Sequence, residues 1–432
     1  MKLLSKIIFF LSLAYSLLSL IFYLSPYEFL WRYSFMNIFY MKMLPPFADL
    51  RWISATSECG VDVLDIATRL SPGCDPYGRN DGGLPYPPFS IEFARFFHLS
   101  ISNTQVCGFL FGLTLIIFFV LLAFSVFKFS PLFYFSSSIL LFSFPLQLGI
   151  ERGNLDVIVF ILVISSSVLI SLRSNLLSVF SAPFIFLAVA TKAYPFFGFF
   201  PFAFFCIPDI GRFRRLLLIF SSILGLFLVI PWYLQSSSDI PKAGWRVISH
   251  GFFISQFFYS PFLFFQQLIS FIFLLLGLFL GIKLCSRQIF LESYLGTLCS
   301  IRSRFLYILT SLSGLIWLAC YFISVGYDYR LIFLFPALLY LFFFADLFPI
   351  NFVFGNLIRI SIYLSIISVC LSYYSWLEPL RFISTGLLNL FSLVNDSICL
   401  PFLASLTLSF ILPSRSIHLL ARLLGRPVLP AS

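Results

Sequence analysis

The chain has 432 residues, of which 60% are hydrophobic and 10% charged, with a mean hydropathy of +1.02. A soluble domain carries about 25% charged residues, so water is excluded as the solvent for most of this chain and lipid takes its place. The net charge of +10 does not mark a nucleic-acid binder, because the basic residues gather in short loops between apolar runs, as membrane topology requires.

Lys2 and Lys6 precede an apolar run from Ile7 to Leu24. That run exceeds the roughly 7–15 residues of a signal-peptide core and no small-x-small site follows, which predicts an uncleaved first span. Polar sequence then extends from Ser25 to about Asn103. Within it, Ala48–Glu58 reads as a short helix and Ser71–Pro88 as irregular Gly- and Pro-rich loop. Cys59 and Cys74 share this loop, where a disulfide and two free thiols both remain open. The nine cysteines contain no CxxC pair and no Cys/His spacing suited to zinc.

Further apolar runs lie near 104–127, 131–149, 156–172, 176–191, 195–207, 216–234, 261–282, 305–323, 331–349, 357–373 and 397–412. The expected fold is all-α: a polytopic membrane protein with about twelve transmembrane helices and one long non-cytoplasmic first loop. One transmembrane domain covers 1–413, with the extracytoplasmic loop at 25–103, and 414–432 forms a basic cytoplasmic tail. Alternate loops carry Lys128, Arg173, Arg212, Arg214, Arg215, Lys283, Arg287, Arg302, Arg304 and Arg359. With Lys2 and Lys6 inside, this pattern puts both termini in the cytoplasm of a multi-pass membrane protein.

The opposite loops hold a different polar set. Asp49 and Arg51 sit in the first loop, Glu151-Arg152-Gly153-Asn154-Leu155-Asp156 joins the third and fourth spans, Lys192-Ala193-Tyr194-Pro195 the fifth and sixth, and Tyr327-Asp328-Tyr329-Arg330 the ninth and tenth. Charges abutted by apolar sequence need partners or a water-filled cavity. Each has a structural alternative: interfacial ion pairs for Glu151–Arg152 and Asp328–Arg330, a snorkelling Lys192, and helix-end stabilisation for Asp156. In the first loop Asp62, Asp65, Asp75, Asp81 and Glu92 rival Asp49. His98, His250 and His418 are isolated. No nucleophile elbow, Walker loop or dinucleotide fingerprint occurs.

Asp49-Leu-Arg51, Asp75-Pro-Tyr, Tyr86-Pro-Pro88, Gly153-Asn-Leu-Asp156, Lys192-Ala-Tyr-Pro195 and Tyr327-Asp-Tyr-Arg330 occur in this order between Met43 and Pro336. Together they resemble the C-type glycosyltransferases of family 87, the polyprenyl-phosphate-mannose-dependent mannosyltransferases. The resemblance implies an active site on the periplasmic or exterior face, a polyprenyl-phosphate hexose donor, a glycan or glycolipid acceptor, and an acid of the first outer loop as base. By position Asp49 is that acid. Lys192, Arg330 and Arg152 are the donor-phosphate candidates, and Asp156, Asn154, Tyr86, Asp328 and Arg51 the substrate-binding candidates. Members often carry paired acids where Leu50 and Arg51 follow Asp49, so no metal or other cofactor is expected. One carboxylate base without a second as nucleophile suits inversion, and arginine and lysine suit an anionic leaving group. A transporter or flippase of a lipid-linked sugar is the competing expectation, and a non-catalytic scaffold for envelope assembly a third.

Overall fold

A computed structural model describes residues 2–34, 46–58, 87–172, 174–205, 212–236, 249–250, 263–285, 301–323, 326–339, 341, 353–371 and 398–411. The first helix, α1 (Lys2–Leu24), shows how this sequence solves its solvent problem. Its inward face carries Phe9, Ser12, Ser16, Ser19, Leu20 and Tyr23, all buried, while Leu3, Leu4, Phe10, Leu11, Leu18 and Ile21 point outward. Serines interleave with the buried Phe9, Leu20 and Tyr23 inside while large apolar side chains face outward, the reverse of the polar outer face of a soluble helix. Such small residues let helices approach closely where lipid, not water, surrounds them. Ser12 and Ser19 donate to the carbonyls of Ile8 and Tyr15 one turn back, at 2.7 and 2.9 Å, so neither hydroxyl is left dry. With 23 residues, α1 is about 35 Å long, enough for a bilayer core of about 30 Å.

The chain continues through α2 (Glu28–Trp31), α3 (Ala48–Glu58) and α4 (Pro88–Phe96) to α5 (Thr104–Phe127), which packs on α1. Gly108 and Gly112 open its inner face: a Cβ at Gly108 would fall within the Phe47 ring, and one at Gly112 would sit 2.6 Å from Leu20. Phe47, just before α3, is thereby keyed into the bundle.

The apolar run at 131–149 is two helices rather than one: α6 (Pro131–Leu141) and α7 (Phe144–Arg152), bent by 50°. Pro145 cannot donate an N–H to the carbonyl four residues earlier, Leu141, and its ring clashes there. The freed carbonyl accepts from Gln147 Nε2 at 2.6 Å, and the same amide reaches Ser16 Oγ of α1 at 3.0 Å. A buried glutamine thus mends the break and ties it to the first helix.

The α7 helix stops at Gly153, whose φ of 59° is left-handed, the conformation glycine adopts at least cost. Asn154 then caps α8 (Leu155–Ser171), its Oδ1 accepting from the Asp156 amide at 2.9 Å. The run at 176–191 is likewise divided, into α9 (Asn175–Val179) and α10 (Ser181–Thr191). Next come α11 (Phe196–Phe205), α12 (Arg212–Ser236), α13 (Leu263–Cys285), α14 (Ile301–Ile323), α15 (Val353–Leu371) and α16 (Leu400–Ile411). A two-residue antiparallel pairing sets Ser249 against Tyr327 and His250 against Gly326, immediately before a 3-10 turn, Asp328–Phe333.

The central helix is α8, buried on nearly every side, with α10 and α14 packed along it. The 3-10 turn rests on α7. A run of aromatic contacts lies beneath the turn: Phe119 stacks on Phe160 at 5.4 Å, Phe160 meets Phe333 at 5.2 Å, and Phe333 meets Tyr194 at 5.7 Å.

Apart from the two-residue antiparallel pairing, the described residues are helical in character, and their apolar helices suit a bilayer. Among the described residues four helices are long and apolar enough to cross one, Leu3–Leu24, Thr104–Phe127, Arg212–Pro231 and Arg304–Phe322, or five with the bent α6–α7 pair. Three shorter apolar stretches, Leu155–Ser171, Asn175–Thr191 and Gln267–Gly281, accompany them. The spans expected at 331–349, 357–373 and 397–412 lie partly outside the described residues, as does the long first loop. Cys59, Cys74, Tyr86 and the 414–432 tail lie wholly outside them.

Candidate functional site

The α7–α8 junction is the frame of the site. Gly153 reverses the chain within one residue, so Arg152 ends one helix and Asn154 caps the next. The turn also needs the absence of a side chain, since a Cβ on Gly153 would lie 3.2 Å from both Leu50 and Phe47. That contact brings α3 against the junction. The Phe47 amide donates to the Glu151 carbonyl at 2.5 Å and fixes the register between them.

Asp49 lies in the first turn of α3, where the helix dipole favours an acid. Its two carboxylate oxygens are both engaged: Oδ1 accepts from Arg152 Nη2 and Oδ2 from Asn154 Nδ2. Asn154 therefore works with both ends of its amide. It donates to Asp49, while its Oδ1 accepts from the Asp156 backbone and, at 3.2 Å, from Lys192 Nζ.

Lys192 follows α10 directly. The backbone there is steadied by Ser90 of α4, whose hydroxyl donates to the Thr191 carbonyl at 2.9 Å. The ammonium also pairs with Asp156 Oδ1 at 2.6 Å. Asp156 is completely buried and accepts from Tyr194 OH at 2.8 Å and Arg330 Nε at 3.4 Å. The Arg330 guanidinium stands over the Tyr194 ring, 5.3 Å from its centre, an added cation–π attraction. Burial and the Asp156 carboxylate hold the Tyr194 phenol well above its ordinary range, so it remains a hydrogen-bond donor.

The outcome is one continuous polar chain, Arg152–Asp49–Asn154–Lys192–Asp156–Arg330, with Tyr194 closing its end. Its members come from α3, the α7–α8 junction, the α10–α11 connection and the 3-10 turn. Three cations and two carboxylates make up this chain, the buried Glu151 adjoins it within reach of the Arg152 and Asp49 charges, and Asp49 keeps part of its side chain accessible.

Other candidates stand outside this chain of contacts. Arg51 donates its Nε to the Pro46 carbonyl at 3.0 Å, within its own loop. Glu92 pairs with Arg95 at 2.5 Å on the exposed side of α4. Asp328 opens the 3-10 turn, with its side chain outside the described residues, as is all of Tyr86. Glu151 is fully buried, and among the described residues neither carboxylate oxygen has a hydrogen-bond partner. Tyr194 and Ser90 were given no role by sequence reasoning. Tyr194 stands inside the Lys192–Pro195 motif and was there to be found, whereas Ser90 had no sequence signal. Among the described residues no three His, Cys, Asp or Glu side chains converge. In comparisons with known proteins, no family model, no curated protein and no solved structure matches this chain.

Proposed function

We propose that this chain is a membrane glycosyltransferase. It moves a hexose, mannose by resemblance, from a polyprenyl-phosphate donor to a glycan or glycolipid acceptor outside the cytoplasm. The observation that carries the reading is the joining of Asp49 to three cations through Asn154 and Asp156, across four separate segments of the chain. A base beside an anion-binding group is what transfer from a phosphate-linked sugar requires. The acceptor hydroxyl gives its proton to the Asp49 carboxylate as its oxygen bonds to the anomeric carbon. The carbon–oxygen bond to the lipid phosphate breaks with its electron pair, and Arg152, Lys192 and Arg330 offset the charge left there. With one carboxylate acting as base and none as nucleophile, the product is inverted.

Arg152 is the most exposed of the three cations and holds Asp49 directly. An arriving phosphate competes for that guanidinium and so releases one Asp49 oxygen for the acceptor. The distribution of charge along α8 supports a sided reading. At the far end of α8 from Asp156, about 21 Å away, buried Arg214 donates to the Ile170 carbonyl at 3.3 Å. In this reading about twelve spans place both termini and the Arg214 end in the cytoplasm and the Asp49 cluster outside.

A second reading, a transporter or flippase of a lipid-linked sugar, is favoured by the bent α6–α7 pair. Its broken helix ends at the cluster, and broken helices line many transport sites. Purified chain in proteoliposomes, given radiolabelled polyprenyl-phosphate-mannose and an extract of membrane glycans, separates the two. Labelled glycan formed by the chain supports the transferase. Counterflow of the labelled lipid with no glycan product overturns it in favour of transport.

A further inference from the structure

We propose that Phe47 is the positioning residue of the site: its ring is a wedge, set between α1, α5 and the α7–α8 junction, that holds Asp49 against Arg152 and Asn154. The placement of Asp49 follows from these contacts, and only its consequence for sugar transfer rests on Asp49 acting as the base.

Three non-glycine residues among those described have a positive φ: Phe47 at 57°, His98 at 50° and Lys128 at 53°. His98 and Lys128 are exposed, whereas Phe47 is wholly buried. A bulky side chain in the left-handed region is an outlier that persists only where its surroundings impose it, and such residues gather at functional sites. Here the backbone is held on both sides. The Phe47 amide donates to the Glu151 carbonyl at 2.5 Å, and the Phe47 carbonyl accepts from the Arg51 amide at 2.8 Å, closing the first turn of α3. One residue therefore ties the start of the helix that carries Asp49 to the end of the helix that carries Arg152.

The ring fixes the direction in which α3 leaves that tie. Gly108 of α5 leaves the notch that it fills, where a Cβ would fall 2.4–2.7 Å from Phe47 Cγ, Cδ1 and Cδ2. A Cβ on Gly153 would lie 3.2 Å from Phe47 Cβ and Cδ1. Tyr23 of α1 meets the ring edge-on at 5.6 Å. The wedge thus bears on Gly153, while Asp49, two residues along, engages both chain neighbours of that glycine, Arg152 and Asn154. Wedge and acid grip one junction from one short segment, so a ring that leaves its notch takes the carboxylate with it.

The test uses the full-length protein in nanodiscs of phosphatidylethanolamine and phosphatidylglycerol, with Phe47→Gly, Gly108→Ala and the two combined. Glycine removes the ring yet adopts the left-handed backbone at least cost, which separates the wedge from the turn. Gly108→Ala closes the notch with a better helix former than glycine. Hydrogen–deuterium exchange of the 48–58 amides should rise about tenfold in each single variant, with the 155–171 amides of α8 unchanged. The double variant should exchange no faster than Phe47→Gly, because both substitutions break one contact. In transfer from polyprenyl-phosphate-mannose, kcat should fall about 10²-fold, as misplacement by about 1 Å can produce. The donor KM should stay within about threefold of the wild type, since Lys192 and Arg330 remain on Asp156. Wild-type exchange at 48–58 in Phe47→Gly, equal acceleration at 155–171, additive effects in the double variant, or a raised KM with unchanged kcat would each overturn the proposal. If the wild type transfers no sugar, the transferase reading fails and the exchange pattern alone decides on the wedge.

Discussion

The two acids of the cluster share one hydrogen-bonded chain and yet live in different surroundings. Asp156 has a side chain with no exposure at all and is ringed by Lys192, Arg330 and Tyr194. Asp49 keeps 13% of its side chain accessible, and its charged partner Arg152 keeps 35%. A carboxylate enclosed by two cations and a phenol cannot meet an acceptor hydroxyl, but it can hold those cations in position. A carboxylate near the surface, held by a guanidinium that is itself partly solvated, can exchange that partner. Burial thus divides the labour: Asp156 organises the cluster and Asp49 confronts what arrives.

The division can be broken most severely at Asp156. Asp156→Ala takes the shared carboxylate from buried Lys192 and partly buried Arg330, and loss of one partner of a buried pair costs about 3–5 kcal/mol. Thermal unfolding of the purified protein should show a large fall in midpoint. Adding Lys192→Met to the same variant should recover part of the loss by removing one buried charge that has lost its closest counter-ion. If the double variant is less stable than the single one, Asp156 is not the electrostatic centre described here.

A smaller effect is expected at the helix break. Gln147→Leu deprives the Leu141 carbonyl of its donor, and an unsatisfied buried acceptor costs about 1–3 kcal/mol. Gly153→Ala asks a non-glycine residue to hold a left-handed conformation, roughly 1–2 kcal/mol, and crowds Leu50 and Phe47. Because Gly153 packs against the segment that carries Asp49, this substitution should also shift α3. Protease protection of residues 46–58 would report that shift, and unchanged protection would sever the link between junction and acid.

The smallest stability change belongs to Asp49→Asn. The Asp49–Arg152 pair is partly solvated, so its contribution to folding is limited to about 1 kcal/mol or less. The midpoint should therefore move little, in contrast to Asp156→Ala. Similar losses from the two substitutions would erase the distinction between organiser and exposed acid.

The sequence announced much of this arrangement, though not its pairings. Lipid-facing character was legible in the composition, because 10% charged residues and a mean hydropathy of +1.02 stand far from the balance of a soluble domain. The segments that meet at the site were visible as charges set between apolar runs, since such charges need partners. Which partner each takes was not visible. Arg152 stands next to Glu151 in the chain, which reads as a local ion pair, but its guanidinium reaches Asp49, 103 residues away. The direction of a side chain leaving a helix end decides that, and Gly153 sets it. At Asp156 the cap itself is Asn154, while Asp156 stands in the first turn of α8, where the helix dipole favours an acid, and pairs with Lys192 as well. The bend in 131–149 was hidden for a different reason. Pro145 is plain in the sequence, but membrane helices tolerate proline when a neighbour satisfies the freed carbonyl, and that neighbour, Gln147, is recognisable only once the fold has brought Ser16 beside it.

The most direct test of the central claim is sugar transfer from polyprenyl-phosphate-mannose by the wild type and Asp49→Asn side by side, with the unfolding midpoint of each recorded. The account predicts transfer by the wild type, a loss of about 10²–10⁴-fold in the variant, as befits removal of a general base, and nearly unchanged stability. Equal transfer by both proteins, or a variant that loses its fold along with its activity, would contradict it.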